Sequence, residues 1–365
     1  MNFMMNGKDI KYKLLGKTPE ELKEIAVKCG LPSYAGGQIA QWLYKKKVKS
    51  IDEMTNLSKA GRERLAESYE TGAVAYSECM ESVDGTKKYL FPVTCSLLGG
   101  LNRIETENAG TVESGSIEAV MIPELDRRTL CVSSQAGCKM GCKFCMTGRQ
   151  GFHGNLSAAD ILSQFVSVDE AEQLTGTVFM GMGEPLDNYD NVKRAIDVLT
   201  ADWGFGWSPK RITLSSIGVL PTLKRYLDET RCHLAISMHD AFPDERGELM
   251  PVQRSYDIKE VIGLIRQYDF TGQRRVSFEY TMFDGFNDDK RHCDAIIRLL
   301  SGLECRVNLI RFHKIPDFPY QSSSDGVMTV FRDRLNKAGI TATVRASRGE
   351  DIFAACGMLA GRHKT

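Results

Sequence analysis

What this 365-residue sequence lacks narrows its class first. It has no net charge, since 47 Lys and Arg balance 47 Asp and Glu. That excludes a protein held to nucleic acid by bulk basicity, but not one with a local basic surface, which is all that counterion release needs. It has no apolar run approaching the ~20 residues of a membrane helix. Its start, MNFMMNGKDIKYK, lacks the apolar core of a secretion signal. It has no low-complexity segment and no internal repeat, which excludes a repeat array. A soluble, cytoplasmic chain of ordinary globular composition with no membrane partner is expected.

Cysteine is what the sequence does have. Eleven cysteines without an export signal argue against a disulfide framework and for thiol or metal chemistry. Three fall within eight residues, in GCKMGCKFCMTG. Around them, from Arg127 to Asn155, stand five basic residues (Arg127, Arg128, Lys139, Lys143, Arg149) and no acidic one. This local charge suits RNA, although a solvated basic loop would look the same.

Three regions are distinguishable. Residues 1–75 read as helical, through PEELKEIAVKCG and AGGQIAQWLYKKKV, with Gly30 as a helix stop. Lys45–Lys47 and Lys49, beside Trp42 and Tyr44, could touch a phosphate backbone or simply face water. Residues 76–123 read as a small β extension, with TKKYLFPV after an Asp84-Gly85 turn signal and IEAVMIPE after Gly-rich loops. Residues 124–365 alternate apolar strands (RTLCVSSQ, TVFMGMG, RITLSSIG, HLAISMHD, RVSFEYTMF, CRVNLIRF, TATVRAS) with helical stretches. That alternation predicts an α/β fold with a parallel sheet, open or wound into a full or partial barrel. Functional residues should then gather at the C-terminal ends of the strands.

They do gather there. Cys138, Cys142 and Cys145 form a C-x3-C-x2-C loop directly after the first of these strands. Three thiolates with no fourth cysteine close by suit a 4Fe–4S cluster that keeps one iron open to a small molecule. A structural zinc site would want four ligands, and the next candidate, His153, is eight residues past Cys145. GMGEP ends the next strand with Gly181, Gly183 and Glu184. Glycines there allow close approach, and a carboxylate could receive the amino group of a bound amino acid. Ser215, Ser237, His239 and Asn308 stand at or near later strand ends, where hydroxyls and amides suit ribose and carboxylate groups. Each alone is better explained by capping or closing a turn. Cys131 and Cys356, read alone, are small buried residues.

The aromatic Phe144 before the last clustered cysteine makes the loop similar to the signature of the radical S-adenosylmethionine superfamily. CVSSQAGCKMGCKFCMTGRQGF, GMGEPLDN, LSSIGVLP, AISMH, VNLI and RGEDIFAACGMLAG together resemble, in order from about Ile117 to Gly361, the RlmN/Cfr family of RNA adenine methyltransferases. The resemblance implies a partial parallel β/α barrel, a radical S-adenosylmethionine core, with a helical N-terminal accessory domain that binds RNA and a C-terminal segment carrying a catalytic cysteine. It implies that Cys138, Cys142 and Cys145 ligate one 4Fe–4S cluster. Gly183, Glu184, Ser215, Ser237, Met238, His239 and Asn308 would bind S-adenosylmethionine, two molecules of which are used per turnover. Cys356 would carry the methyl group, Cys131 would resolve it and leave a disulfide bond to be reduced, and Glu118 would accept a proton.

The implied substrates are an adenosine of 23S rRNA and the adenosine beside the anticodon in tRNA, methylated at C2. Methylation at C8 is the family's other form. Cys356 would take a methyl group by displacement, and a second cofactor molecule would be cleaved to a radical that activates it for attack on the ring. An electron donor such as a flavodoxin or ferredoxin would be a partner, and a monomer is expected. One stretch departs from the family's pattern: RFHKIPDFPY follows VNLI. Two other classes fit parts of the sequence. A radical enzyme on a protein or small molecule would leave Cys356 idle, and a zinc-containing RNA-binding protein would hold no iron.

Overall fold

The computed structural model describes residues 11–95 and 113–360. The Gly-rich stretch expected before IEAVMIPE lies largely outside them. Among the described residues no helix is long and apolar enough to cross a membrane. The chain divides into two compact units. One comprises Met1–Ala75, Ser157–Ala171 and Lys193–Trp207; the other comprises Tyr76–Leu156, Glu172–Val192 and Ser208–Thr365.

In the first unit, strands β1 (Tyr12–Lys13) and β2 (Tyr69–Glu70) pair in parallel. Helix α1 (Pro19–Lys28) starts at a Thr18–Glu21 capping box and stops at Gly30, whose φ is +68°. Helix α2 (Ala35–Ala40) runs on as a π-turn over Gln41–Lys45, and α3 (Lys59–Ser68) follows. A Cβ at Gly36 would fall 2.5 Å from the Lys23 backbone, so only glycine lets α2 lie this close to α1. Of the lysines near Trp42, Lys46 rests 3.9 Å over its indole ring, and Lys47 donates to the Ala171 carbonyl. The rest of this unit includes α5 (Ala158–Ser167), capped by Ser157 and Asp160.

The second unit is built on a ten-stranded mixed sheet. Its strands are β3 (Glu78–Glu81), β4 (Lys87–Cys95), β5 (Glu113–Glu124), β6 (Arg127–Cys131), β9 (Gly176–Phe179), β10 (Ile212–Ser216), β11 (His233–Ser237), β12 (Val276–Met282), β13 (Arg306–Arg311) and β14 (Thr341–Val344). The spatial order is β14-β13-β12-β11-β10-β9-β6-β5-β4-β3. From β3 to β6 the pairing is antiparallel, and from β6 to β14 it is parallel. Between the parallel strands the chain runs through α6 (Tyr189–Thr200), α7 (Leu220–Glu229), α8 (Pro243–Leu249), α9 (Ile258–Ile265), α10 (Lys290–Leu300) and α11 (Asp325–Lys337). The fold is therefore α/β. Strands β14 and β3 are its two edges among the described residues, and the residues expected as a β extension continue the main sheet as its antiparallel wing.

Parallel strands in sequence order put all their C-terminal ends on one edge. Between β6 and β9 a small hairpin, β7 (Gln135–Gly137) with β8 (Phe152–Asn155), ties off the three-cysteine loop, which also contains the short helix α4 (Met146–Arg149). The core is the apolar row of the parallel strands, including Leu130, Phe179, Leu214, Ile236, Phe278 and Leu309, all 0–1% exposed.

Candidate active site

The loop bearing Cys138, Cys142 and Cys145 is closed at its base. The Cys138 N–H donates to the Gly151 carbonyl at 2.8 Å, and a Cβ at Gly137 would strike that carbonyl oxygen at 2.0 Å. Within the loop the Cys145 N–H donates to the Cys142 carbonyl, and the Lys143 N–H to that of Leu249. Phe144 packs edge-on against the ring of His239, 4.9 Å between centroids, and against Phe283. Burial pushes the Cys138 thiol up to about 12, and the Cys142 thiol rises too. On Cys142 the guanidinium of Arg246 acts in the opposite direction.

GMGEPLDN braces this loop. Gln135, at the loop's entrance, accepts the Glu184 N–H at 2.8 Å and donates to Asn155 and to Asp187. Asn188 donates to the carbonyls of Ser134 and Leu156, and Lys139 pairs with Asp187 at 2.9 Å. Gly183 has φ +98°, and a Cβ there would lie 2.5 Å from Gln135 Cβ. The close approach that this glycine allows is therefore to Gln135. The basic segment is partly neutralised, because Arg127, Lys139 and Arg149 meet Glu124, Asp187 and Asp317.

Glu184 is the site's unmatched charge. It is 4% exposed, and each carboxylate oxygen accepts one backbone N–H at 3.0 Å, from Leu186 and from Ile217. No Lys or Arg pairs with it among the described residues. Burial raises its carboxyl to about 7, so the pocket gains by taking in a cation. An α-ammonium group meets that need.

The other expected contacts occupy successive parallel strands. Ser237 on β11, Glu279 on β12, Asn308 on β13 and Thr343 on β14 are mutual register partners and form one polar row. Asn308 donates to Glu279 at 2.7 Å and accepts from Thr343 at 3.0 Å. Ser215 lies on β10, opposite Ala235. Met238 is fully buried, and its N–H donates to the Glu279 carbonyl. His239 sits at φ +55°, and its Nδ1 accepts the Thr281 N–H at 3.0 Å. Burial lowers its pKa to about 3, so the ring is neutral and its proton lies on Nε2. His239 thus offers one donor.

Two contributors were not read from the sequence. Glu279 is a buried acid inside an otherwise apolar strand, and that oddity in RVSFEYTMF was the available signal. Arg246 had no signal. Fully buried, it donates to the carbonyls of Met238 (3.0 Å), Ser237 (3.0 Å) and Ile217 (3.3 Å) and so ties the ends of β10 and β11 together.

Cys356 reaches the three-cysteine loop through its neighbour: the Gly357 carbonyl accepts the Met146 N–H at 2.8 Å, which joins the residue after Cys356 to the residue after Cys145. Cys356 is solvent-exposed, yet it has enough protein around it that desolvation raises its thiol, with Glu279 and Cys145 adding to the shift. Cys131, at the end of β6, is buried and pushed up to about 12, first by desolvation and then by the charge of Cys356. The expected Cys131–Cys356 disulfide is corrected here: both residues are reduced thiols, and neither is in a disulfide. Desolvation favours the neutral thiol at both positions, and any chemistry of the pair starts from two reduced sulfurs.

Glu118 is 1% exposed rather than the surface strand residue that its position on β5 first suggests. It pairs with Lys88 at 3.3 Å and accepts the Ala360 N–H at 3.1 Å.

Among the described residues, Asp240, Glu245 and His292 are the group whose three ligand-type atoms converge within 4.8 Å; the loop cysteines are not such a group. His292 hydrogen-bonds Asp289 and Glu245 at 2.7 Å each. Burial works against its charge, but those two bonds outweigh it and raise its pKa. The group is a histidine ring among carboxylates, at hydrogen-bond rather than metal-ligand spacing.

The geometry has close relatives. Residues 132–295 match the radical SAM superfamily, and residues 12–71 match the ribosomal RNA large subunit methyltransferase N-terminal domain. The chain is 55% identical over 346 residues to a probable dual-specificity RNA methyltransferase RlmN of Porphyromonas gingivalis, covering 95% of this chain and 96% of the relative. It is 39% identical to the dual-specificity RNA methyltransferase RlmN of Syntrophus aciditrophicus, over 94% of both chains. A crystal structure of a radical SAM methyltransferase from Sphaerobacter thermophilus superposes with a TM-score of 0.85 at 36% identity, covering 96% of this chain and 99% of that one.

Proposed function

This chain belongs to the RlmN family of radical S-adenosylmethionine RNA methyltransferases, and from that premise we propose that it methylates C2 of an adenosine in 23S rRNA and of the adenosine beside the anticodon in tRNA. The observation that carries the reading is the Met146–Gly357 hydrogen bond, which brings a reduced, solvent-exposed cysteine beside the three-cysteine loop. The alternative reading, a radical enzyme acting on a protein or small molecule, assigns Cys356 no role.

In this reading the seven parallel strands make a partial barrel, and Cys138, Cys142 and Cys145 hold one 4Fe–4S cluster. Each thiolate of a cluster takes its own iron, so the three sulfurs need not converge as ligands of a single ion do. Glu184 receives the ammonium group of S-adenosylmethionine, and Gly183, Ser215, Ser237, Met238, His239 and Asn308 line its remaining polar groups. When bound, the cluster and S-adenosylmethionine supply the one-electron chemistry that a non-nucleophilic ring carbon requires. The chain's own residues do the rest. Cys356 would lose its proton and take the methyl group of S-adenosylmethionine by displacement, S-adenosylhomocysteine leaving, and then present that methyl to the base. Cys131 is assigned as the second catalytic thiol, and Glu118 as acceptor of the ring proton. The adenine leaves its stack to reach this recess, which favours loop or unpaired adenosines. A small cytoplasmic electron carrier of the flavodoxin or ferredoxin type is the reductant, and the chain works as a monomer.

The test is anaerobic reconstitution followed by nucleoside mass spectrometry of 23S rRNA and tRNA substrates. About four irons per chain and 2-methyladenosine in both RNAs are expected. Cys142→Ala should lose the iron. Cys356→Ala should keep the iron and make no product. Product from Cys356→Ala would remove the cysteine mechanism, 8-methyladenosine would reassign the position, and a colourless zinc protein would end the radical reading.

A further inference from the structure

The segment that carries Cys356 begins in a turn that its own sequence does not favour. Glu350–Ile352 form one 3-10 turn between Gly349 at φ +60° and Phe353 at φ +53°. Glycine tolerates the left-handed region, but a phenylalanine is strained there. Such a turn persists only where its surroundings hold it.

Besides His313, whose Nδ1 lies 3.4 Å from Glu350 Oε1, the surroundings are the turn between β3 and β4, 265 residues earlier in the chain. Asp84 Oδ2 accepts the Gly349 N–H at 3.1 Å and lies 4.0 Å from Arg348 Nη1. Asp351 accepts twice, from Ser82 Oγ at 2.5 Å and from the Val83 N–H at 3.2 Å. The hairpin turn is itself braced, since the Ser82 N–H reaches the Thr86 carbonyl and the Thr86 N–H reaches Asp84 Oδ1. The two turns touch so closely that a Cβ at Gly349 would lie 2.9 Å from Thr86 Cγ2. Beyond Cys356 the chain is anchored again, by Met146 on Gly357, Thr147 on Leu359 and Glu118 on Ala360. The second anchor belongs to the reaction site. The first contains no residue of that site, and it fixes where the span from 353 to 356 begins.

We propose that the Ser82–Thr86 turn is a latch that sets the position of the Cys356 segment, with Asp84 and Asp351 as its positioning residues. The proposal rests on Cys356 being the methyl carrier, but the latch itself is a matter of geometry and is tested separately. In the full-length chain, Asp84→Ala, Asp351→Ala and the double variant are compared with wild type. Three readouts are taken: hydrogen exchange of the 348–358 peptide, the rate of Cys356 alkylation by iodoacetamide read by peptide mass spectrometry, and iron content after reconstitution.

The double variant should show roughly tenfold faster exchange and alkylation confined to this segment, with iron content unchanged. Its kcat for RNA should fall by a similar factor while KM for RNA holds. Asp351→Asn, on an exposed side chain that keeps one acceptor oxygen, should recover part of each effect. Unchanged exchange and alkylation in both the double variant and Asp351→Asn would overturn the latch. Failure of the carrier reading would appear elsewhere, as absence of methyl on Cys356 in wild type incubated with S-adenosylmethionine.

Discussion

Replacing Glu184 by Gln separates what this carboxylate does for the fold from what it does for the ligand. The folded protein holds the group at about 7 against an ordinary 4.5, first because burial strips its water, with the N–H donors of Ile217 and Leu186 only partly compensating. A carboxyl raised by folding binds its proton more tightly in the folded state than in the unfolded one. Its contribution to stability is therefore fully present below about 4.5 and is lost as pH rises through about 7. A shift of that size corresponds to on the order of 3 kcal/mol.

Urea unfolding of the ligand-free protein at pH 5 and pH 8 should thus show wild-type stability falling by about 2.5 kcal/mol more than that of Glu184→Gln, since part of the effect is already lost at pH 5. The comparison of slopes matters. An amide in place of one oxygen faces a backbone N–H and costs something at every pH, but that cost does not change with pH. In the other direction, loss of a charge-assisted hydrogen bond worth ~1.5–3 kcal/mol should weaken S-adenosylmethionine binding roughly ten- to a hundredfold. Parallel pH curves for the two proteins would refute the buried-charge reasoning. Unchanged affinity would refute the assignment of Glu184 to the ammonium group.

Two further substitutions test the framework behind the site. Arg246→Met should destabilise the chain by roughly 3–5 kcal/mol in urea unfolding, because the buried carbonyls of Ile217, Ser237 and Met238 lose their shared donor; a loss under about 1 kcal/mol would mean that water or local repacking replaces it. Gly183→Ala should cost about 1–3 kcal/mol for a left-handed residue pressed against Gln135. It should also lower iron uptake, since Gln135 stands at the entrance of the cysteine loop; a normal melting temperature and full iron content would refute the packing account.

Much of this was legible in the chain. The alternation of β-branched runs with helical periods is a local property, and it led to the parallel sheet and to the edge where functional residues gather. The spacing of Cys138, Cys142 and Cys145 is local too, as is the αL stop at Gly30. Ser215, Ser237, His239 and Asn308 were singled out because each stands at or near a strand end and carries a group suited to ribose or carboxylate. Glu279 lies inside its strand and was passed over, since one acid in a strand does not reveal whether it faces water. Asp187 and Asn188 lay within a noted motif, but their bracing role depends on partners fifty residues back.

What sequence by itself determined is whatever is written in neighbouring residues: the elements, the three-cysteine loop, the class of chemistry and, through motif order, the family. Tertiary structure decided the rest. It put Arg246 beneath two strand ends, left Glu184 without a cation, kept Cys131 and Cys356 as separate thiols, buried Glu118 against Lys88, and set the Asp84 turn against the strained turn before Cys356. The reason is physical. Hydrogen-bond propensities and hydrophobic periods act over a few residues, whereas desolvation and charge depend on every atom within several ångströms, and only the folded chain says which atoms those are.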